Sequence, residues 1–286
     1  MNDFSAEWLQ LREPADHHSR NPALAAEIAR LFADKKTVRI VDLGSGLGSN
    51  LRALAPQLPC DQQWRLLDHD KGLLDHALTH LGRWKPGVAK GDTLTLSLEG
   101  RSIEVHTETI DLAQNVANIF ADAPDLVTAA ALFDLVSAEW IESLADALAE
   151  RRIPLYTTLT YNGEDRGDPP HPLDAAMIAA LHVHQHTDKG FGPAAGPDAV
   201  KTLQKAFSAR GFSVRVAPSP WRLDDNDTAM LTMLGEGVVT AVMETGRVSA
   251  EEIAAWRQFH MPDGRWHGVA WTVGHADLLA VPKSSP

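Results

Sequence analysis

The sequence predicts an α/β chain. A doubly wound, mostly parallel seven-stranded sheet is expected with helices on both faces, a helical extension before the first strand and a helical insertion before the last. Three observations carry this. Short apolar runs alternate with helical hydrophobic periods from residue 38 onward, as a parallel sheet requires. The first run ends in the glycine-rich turn Gly44-Ser45-Gly46-Leu47-Gly48, and a helical pattern follows it. With 286 residues and 44% hydrophobic content, the chain can bury a substantial core.

The elements follow in order. Residues 5–13 carry Trp8, Leu9 and Leu11 in helical phase, and Pro14 is expected to interrupt them. A second helix is expected after Asn21, with Pro22 at its first position and Leu24, Ile28, Leu31 and Phe32 on one face. Residues 38–43 form the first strand and 64–67 the second, which ends at Asp68. Residues 94–98 and 103–108 alternate across Glu99-Gly100-Arg101, a hairpin feeding the third strand. Residues 126–131 form the fourth strand, and Ser137 caps a helix carrying Trp140, Ile141, Leu144 and Leu148.

Residues 153–160 form the fifth strand. The polar, proline-bearing stretch 162–172 is expected to be a loop, 173–182 a helix, and 182–197 a second long loop. A helix at 198–210 precedes a sixth strand at 212–217. Residues 224–247 are expected to be mostly helical. Ser249 and Glu252 then form a capping box, with Val248 and Ile253 as its hydrophobic staple. Residues 271–281 supply the last strand. One domain is expected over 1–286, divided into a helical lid (1–36), a cofactor-binding half (37–161) and a substrate-side half (162–286).

Composition narrows the function classes. The 26 basic and 38 acidic residues give a net charge of −12, which disfavours nonspecific nucleic-acid binding. A specific RNA or protein substrate stays open, because the charge is scattered. Cys60 is the single cysteine, so neither a disulfide framework nor a cysteine-rich zinc site is available. Met1-Asn2-Asp3-Phe4 lacks a basic region and an apolar core, so no signal peptide is read, and no uncharged apolar run approaches membrane-spanning length. A cytoplasmic protein without a membrane or nucleic-acid partner is expected.

The glycine-rich turn admits two kinds of cofactor. A dinucleotide calls for G-x-G-x-x-G/A with its pyrophosphate on the helix N-terminus, but the third position here is Ser49. Asp42, two residues before the first glycine, would repel a pyrophosphate and attract a cationic amino acid. The acid therefore favours S-adenosylmethionine, which carries a sulfonium and an ammonium and no phosphate.

At this point the chain resembles a family. Val41-Asp42-Leu43-Gly44-Ser45-Gly46-Leu47-Gly48-Ser49-Asn50 resembles the first motif of class I S-adenosylmethionine-dependent methyltransferases. Leu66-Leu67-Asp68-His69-Asp70 resembles the end of their second strand, Thr109-Ile110-Asp111-Leu112 the segment after their third, and Asp125-Leu126-Val127-Thr128-Ala129-Ala130 their fourth-strand motif. The likeness covers residues 38–160 in motif detail and the remainder by strand–helix order. It implies a Rossmann-like methyltransferase fold with S-adenosyl-L-methionine as cofactor.

The resemblance also implies roles. Gly44 and Gly46 would pass close to the methionine part and Asp42 would favour its cation, with Ser45 and Asn50 also assigned to cofactor binding. Asp68 would accept from the ribose hydroxyls and Asp111 from the adenine amine. His69 and Leu112 would flank that ring, with Ala129 at the fourth strand's tip. In many relatives the residues ahead of the first strand close over the cofactor. Arg12, Asp16 and Arg20 are candidates for contacting its carboxylate or the substrate, and Arg20 is assigned to the cofactor. Each acid alone reads equally well as a strand end or a helix N-terminal charge; their order and spacing favour the site.

The acceptor side is expected beyond the fourth and fifth strands. Tyr161 follows strand five, and His182, His184 and His186 precede a glycine-bearing stretch that holds Lys189. Tyr161, His184 and Lys189 are the catalytic candidates, with His184 as a base or substrate-orienting group. A histidine metal site is not favoured, since alternate spacing needs an extended strand. Asp134 points to the same mouth, and Trp221 is a candidate wall. No Asn/Asp-Pro-Pro-aromatic motif follows strand four, which shifts the expected acceptor toward a small molecule, methylated on oxygen or nitrogen. The alternatives are an NAD-dependent oxidoreductase, a protein or RNA methyltransferase, and a catalytically silent relative. A homodimer is left open.

Overall fold

Among the described residues, 4–114 and 116–283 of this computed structural model, ten strands build a single sheet. Met1 to Asp3, part of the stretch on which the missing leader was read, lie outside them. The chain opens with α1 (Ala6–Ser19), α2 (Pro22–Leu31), β1 (Thr37–Leu43), α3 (Ser49–Leu54), β2 (Asp61–Asp68) and α4 (Lys71–Trp84). It continues through β3 (Gly87–Lys90), β4 (Thr93–Leu98), β5 (Arg101–Thr109), β6 (Leu126–Ala130), α5 (Ala138–Arg151) and β7 (Leu155–Asp168). Then come α6 (Asp174–Gln185), α7 (Ala199–Ala209), β8 (Phe212–Pro218), β9 (Trp221–Leu223), α8 (Thr228–Thr245), α9 (Ala250–His260) and β10 (Ala270–Pro282).

The strands run in the order β3-β4-β5-β2-β1-β6-β7-β10-β8, with β9 beside β10. The central five, β5-β2-β1-β6-β7, are parallel, and β10 is antiparallel to both β7 and β8. Alternation along β1 splits its side chains. Val41 and Leu43 pack with α5 and α7 on one face, while Val38 and Ile40 pack with α2, α3 and α4 on the other. Asp42 alternates to the α2–α3 face. A third apolar cluster lies under α6, α8 and α9 and includes Trp8 and Leu11 of α1.

Four expectations need correction. The sheet has ten strands rather than seven, because β3 and β4 extend its edge and β9 adds a short strand by β10. Pro14 does not interrupt α1 but lies inside it. Proline removes one backbone donor, and the helix is held beyond it by side chains: Asp16 accepts from the Trp221 indole at 3.0 Å, and His17 Nε2 lies 3.0 Å from the Ser49 hydroxyl. Residues 162–168 are strand rather than loop. Ladder pairing to β10, from Asp168 opposite Ala270 to Asp165 opposite Val273, outweighs their polar composition. Finally, α6 runs through His182 and His184 to Gln185.

Other elements agree closely. Asn21 caps α2 with Pro22 in its first turn, and the Ser137 hydroxyl accepts from the Trp140 amide at 3.1 Å. The Ser249–Glu252 capping box is formed.

Candidate active site

The glycine turn connects β1 to α3. Gly44 and Gly46 take left-handed φ values of 60° and 50°, which side chains disfavour. A Cβ on Gly44 would lie 3.1 Å from Leu132, and one on Gly46 would lie 3.2 Å from Leu9 of α1. The turn is thus bordered by the segment after β6 on one side and by α1 on the other. Glu13 of α1 makes a bidentate pair with Arg52 of α3, at 2.7 and 2.6 Å, and fixes the helix there.

Beneath the turn is a polar chain. Arg20 Nη1 donates to Asn50 Oδ1 at 2.8 Å, and Asn50 Nδ2 donates to Asp42 Oδ1 at 2.6 Å and to Thr128 Oγ1 at 3.1 Å. Asp42 is fully buried. Desolvation pushes its carboxyl up to about 7, against the opposing pull of the Asn50 hydrogen bond and the Arg20 charge. Three buried polar atoms here have no hydrogen-bond partner among the described residues: Arg20 Nε, Asp42 Oδ2 and Ser45 Oγ. Such atoms are uncommon in folded interiors and call for an explanation.

Asp68 ends β2 and ties the turn down. Its Oδ2 accepts the Gly46 N–H at 2.8 Å, its Oδ1 accepts the Asp70 N–H at 3.0 Å, and His69 Nδ1 lies 3.2 Å from Oδ1. A carboxylate offers about four acceptor positions, so Asp68 retains capacity for further donors. The Ile110 N–H donates to the Asp68 carbonyl at 2.8 Å, which brings the end of β5 alongside. There Asp111 is exposed, its Oδ1 accepting from Ala113, and Leu112 is buried with its carbonyl accepting from the Trp140 indole at 2.9 Å. Ala129 is buried in β6 opposite Leu43. The structure therefore gathers Arg20, Asp42, Ser45, Gly46 and Asn50 around one turn, with Asp68 bonded to it and His69, Asp111 and Leu112 on the neighbouring strand tips.

The acceptor-side candidates are not brought together. Tyr161 donates its hydroxyl proton to Asp165, and His182 Nε2 lies 3.0 Å from the same oxygen. His184 follows His182 by two helical positions, roughly 200° around α6. It faces Glu244 of α8 at 3.0 Å, in a cleft of 350 Å³ shared with Lys189. Lys189 itself donates to the Thr187 hydroxyl at 2.8 Å. Tyr161 thus takes His182 as its partner, while His184 and Lys189 line a separate cleft.

Other side chains surround Tyr161. The His275 ring lies 6.1 Å from that of Tyr161 and 4.7 Å from that of Trp221. Burial depresses His275 to about 3, so it is neutral at ordinary pH. The Arg12 guanidinium sits 5.5 Å above Trp221 and pairs with Asp16 at 2.8 Å. Asp134 has a buried Oδ1 without a partner among the described residues, and burial pushes its carboxyl up to about 6. Burial raises Asp165 to about 6 as well, opposed by its bond from Tyr161. Asp165 and His275 escaped the sequence reading because both depend on the β7–β10 arm. No periodic signal links position 161 to 165 or 275.

Among the described residues, no group of three or more His, Cys, Asp or Glu could hold a metal ion, and no helix is long and apolar enough to cross a membrane.

No protein-family model matches the sequence, and no curated protein does. Solved structures do. YcgJ from Bacillus subtilis superposes with a TM-score of 0.51 at 13% identity, over 94% of this chain and 100% of that one. A cyclopropane-fatty-acyl-phospholipid synthase-like protein from Lactobacillus casei superposes with a TM-score of 0.51 at 14% identity, over 96% and 94%. The chain shares with both a Rossmann-like α/β fold, a sheet with a parallel centre and helices on both faces. In that fold, the glycine turn and Asp68 stand at the carboxyl ends of neighbouring parallel strands, where open α/β sheets bind ligands.

Proposed function

We propose that the protein is an S-adenosylmethionine-dependent methyltransferase acting on a nitrogen or oxygen of a small molecule. One observation carries this reading: Arg20 Nε and Asp42 Oδ2, a buried donor and a buried acceptor joined through Asn50, both lack partners among the described residues. Together they complement the carboxylate and ammonium of a free amino acid, the end that S-adenosylmethionine presents. A pyrophosphate would satisfy Arg20 but meet the carboxylate of Asp42, which disfavours a nicotinamide dinucleotide.

When bound, the cofactor supplies a methyl group on an electrophilic sulfonium. The chain's own part is to hold and orient. Asp68 keeps acceptor capacity for vicinal hydroxyls beside Gly46, and Asp111 and Leu112 are positioned to border a planar base. The α1–α2 segment serves as the lid, clamped by Glu13 to Arg52. A single domain in the cytoplasm, acting on a diffusible acceptor, fits the acidic surface.

Isothermal titration with S-adenosylhomocysteine and, separately, with NAD tests the reading. Micromolar or tighter binding of the nucleoside with no heat from NAD is expected. Binding of NAD alone would overturn it.

A further inference from the structure

Building on the methyl-transfer reading, we propose that Asp134 receives the acceptor's proton and that the acceptor is an amine bound as its cation. Asp134 lies just past β6, where the chain turns at Ala131 with φ 51°. Leu132, on the same turn, packs against Gly44, so this segment borders the cofactor loop directly. Asp134 is part-exposed as a residue, yet its Oδ1 is buried and has no hydrogen-bond partner among the described residues.

The surroundings identify what that oxygen would accept. Tyr161 and Trp221 belong to one apolar cluster, and the partly buried Ala131 and Trp8 pack against it. The Trp8 and Trp221 rings meet edge-on at 6.3 Å, and the His275 ring, tilted 57° to Trp221, lies 4.7 Å from it. The positive charge of Arg12 favours the ionised form of Asp134 and the neutral form of His275.

The charged groups near Asp134 are unequally paired. Arg12 is neutralised by Asp16 at 2.8 Å. His275 is neutral. Asp165 is engaged by the Tyr161 hydroxyl, and His182 faces that same hydroxyl. Of these groups, Asp134 alone keeps a buried carboxylate oxygen with no bonded partner among the described residues. A neutral hydroxyl compound would leave its carboxylate buried without a counter-charge, whereas an ammonium would supply one. With its carboxyl near 6, Asp134 is ionised at neutral pH yet basic enough to take a proton.

The step balances. The ammonium N–H proton moves to Asp134 Oδ1. The freed nitrogen lone pair forms a bond to the methyl carbon of the sulfonium donor. The carbon–sulfur bond breaks, its electron pair stays on sulfur, and a neutral thioether leaves.

The test uses the full chain saturated with S-adenosylhomocysteine, titrated calorimetrically with phenethylamine, benzylamine and hexylamine, each beside its hydroxyl analogue. At least one amine is expected to bind tenfold or more tightly than its alcohol. Asp134→Asn should erase that preference while changing nucleoside affinity less than twofold. If the nucleoside binds but no amine outcompetes its alcohol, or if Asp134→Asn retains the preference, the proposal is overturned. Failure of the nucleoside itself to bind would instead sink the methyl-transfer reading and this one with it. The amine-versus-alcohol comparison stands on the wild-type chain alone, so a misfolded variant would not shield the proposal.

Discussion

Arg20 and Asp42 are joined through a single amide: Asn50 accepts from the guanidinium at 2.8 Å and donates to the carboxylate at 2.6 Å. Opposite charges are thereby kept near each other without direct pairing. Each retains a buried atom with no partner among the described residues. The arrangement stores an electrostatic demand that a zwitterion can meet.

The first expectation is a pH-dependent affinity. Burial raises Asp42 to about 7, so much of it is protonated at neutral pH before ligand arrives. Binding an ammonium requires the carboxylate. Affinity for S-adenosylhomocysteine should therefore climb as pH rises from about 6 to about 8 and then level off. Calorimetric titrations at half-unit intervals across that range check this. A flat profile would remove Asp42 from contact with the ligand's cation.

The second concerns stability. For Asp42 the native state holds a proton that the unfolded chain releases near its ordinary pKa of 3.8. Native stability contributed by this group is present at low pH and is lost as pH rises toward about 7. Asp42→Asn removes that loss and keeps the acceptor for Asn50, although its new amide hydrogens would be buried without a partner. A net gain of about 1–3 kcal/mol at pH 8 is expected, shrinking at pH 5, on the scale of about 1.4 kcal/mol per pKa unit. The same variant should bind S-adenosylhomocysteine at least tenfold more weakly. Urea unfolding at the two pH values, paired with calorimetry, reads both effects.

How far the sequence reached follows from where each signal resides. The glycine turn, Asp42 and Asp68 were legible because β1 and β2 each carry an apolar pair running into an acid, Ile40-Val41-Asp42 and Leu66-Leu67-Asp68, and such ends are local features. Asn50 and Arg20 were nameable as candidates, yet the bond between them spans two helices and is a tertiary fact. The partner of Tyr161 was not legible. It depends on α6 continuing past His182, and on polar residues 162–168 pairing with β10 rather than looping. Composition argued for a loop there, and ladder hydrogen bonds won. Pro14 shows the same competition, with tertiary contacts on either side of it preserving a helix that local rules would end.

Gly46→Val tests the close approach at the turn. Valine at φ 50° is strained by about 1–2 kcal/mol, and its side chain would push against Leu9, which lies only 3.2 Å from where the new Cβ would stand. The chain should still fold, since the rest of the β1–β2–β6 ladder is untouched, but α1 would be lifted and nucleoside binding lost. A melting temperature within several degrees of wild type, together with absent binding heat, is the expected pair of results. Wild-type affinity would show that the turn does not contact the ligand.

Tyr161 and His184 are separable by mutation because α6 presents His182 and His184 to different neighbours. Tyr161→Phe deletes the hydroxyl that donates to Asp165 and faces His182 at 3.0 Å. Asp165, raised to about 6 by burial, then loses the donor that opposes that rise, so its carboxyl should rise further. A stability loss of about 1–3 kcal/mol accompanies the unmade bond. His184→Ala removes only a contact to Glu244, which is largely exposed, and should cost less than about 1 kcal/mol. Methyl transfer to the tightest-binding amine, followed with a labelled methyl donor between pH 6 and 9, distinguishes them. The Tyr161 variant should be slowed tenfold or more at pH 7, and the His184 variant less than twofold. The reverse order would move the acceptor site to the cleft between α6 and α8, beside Lys189.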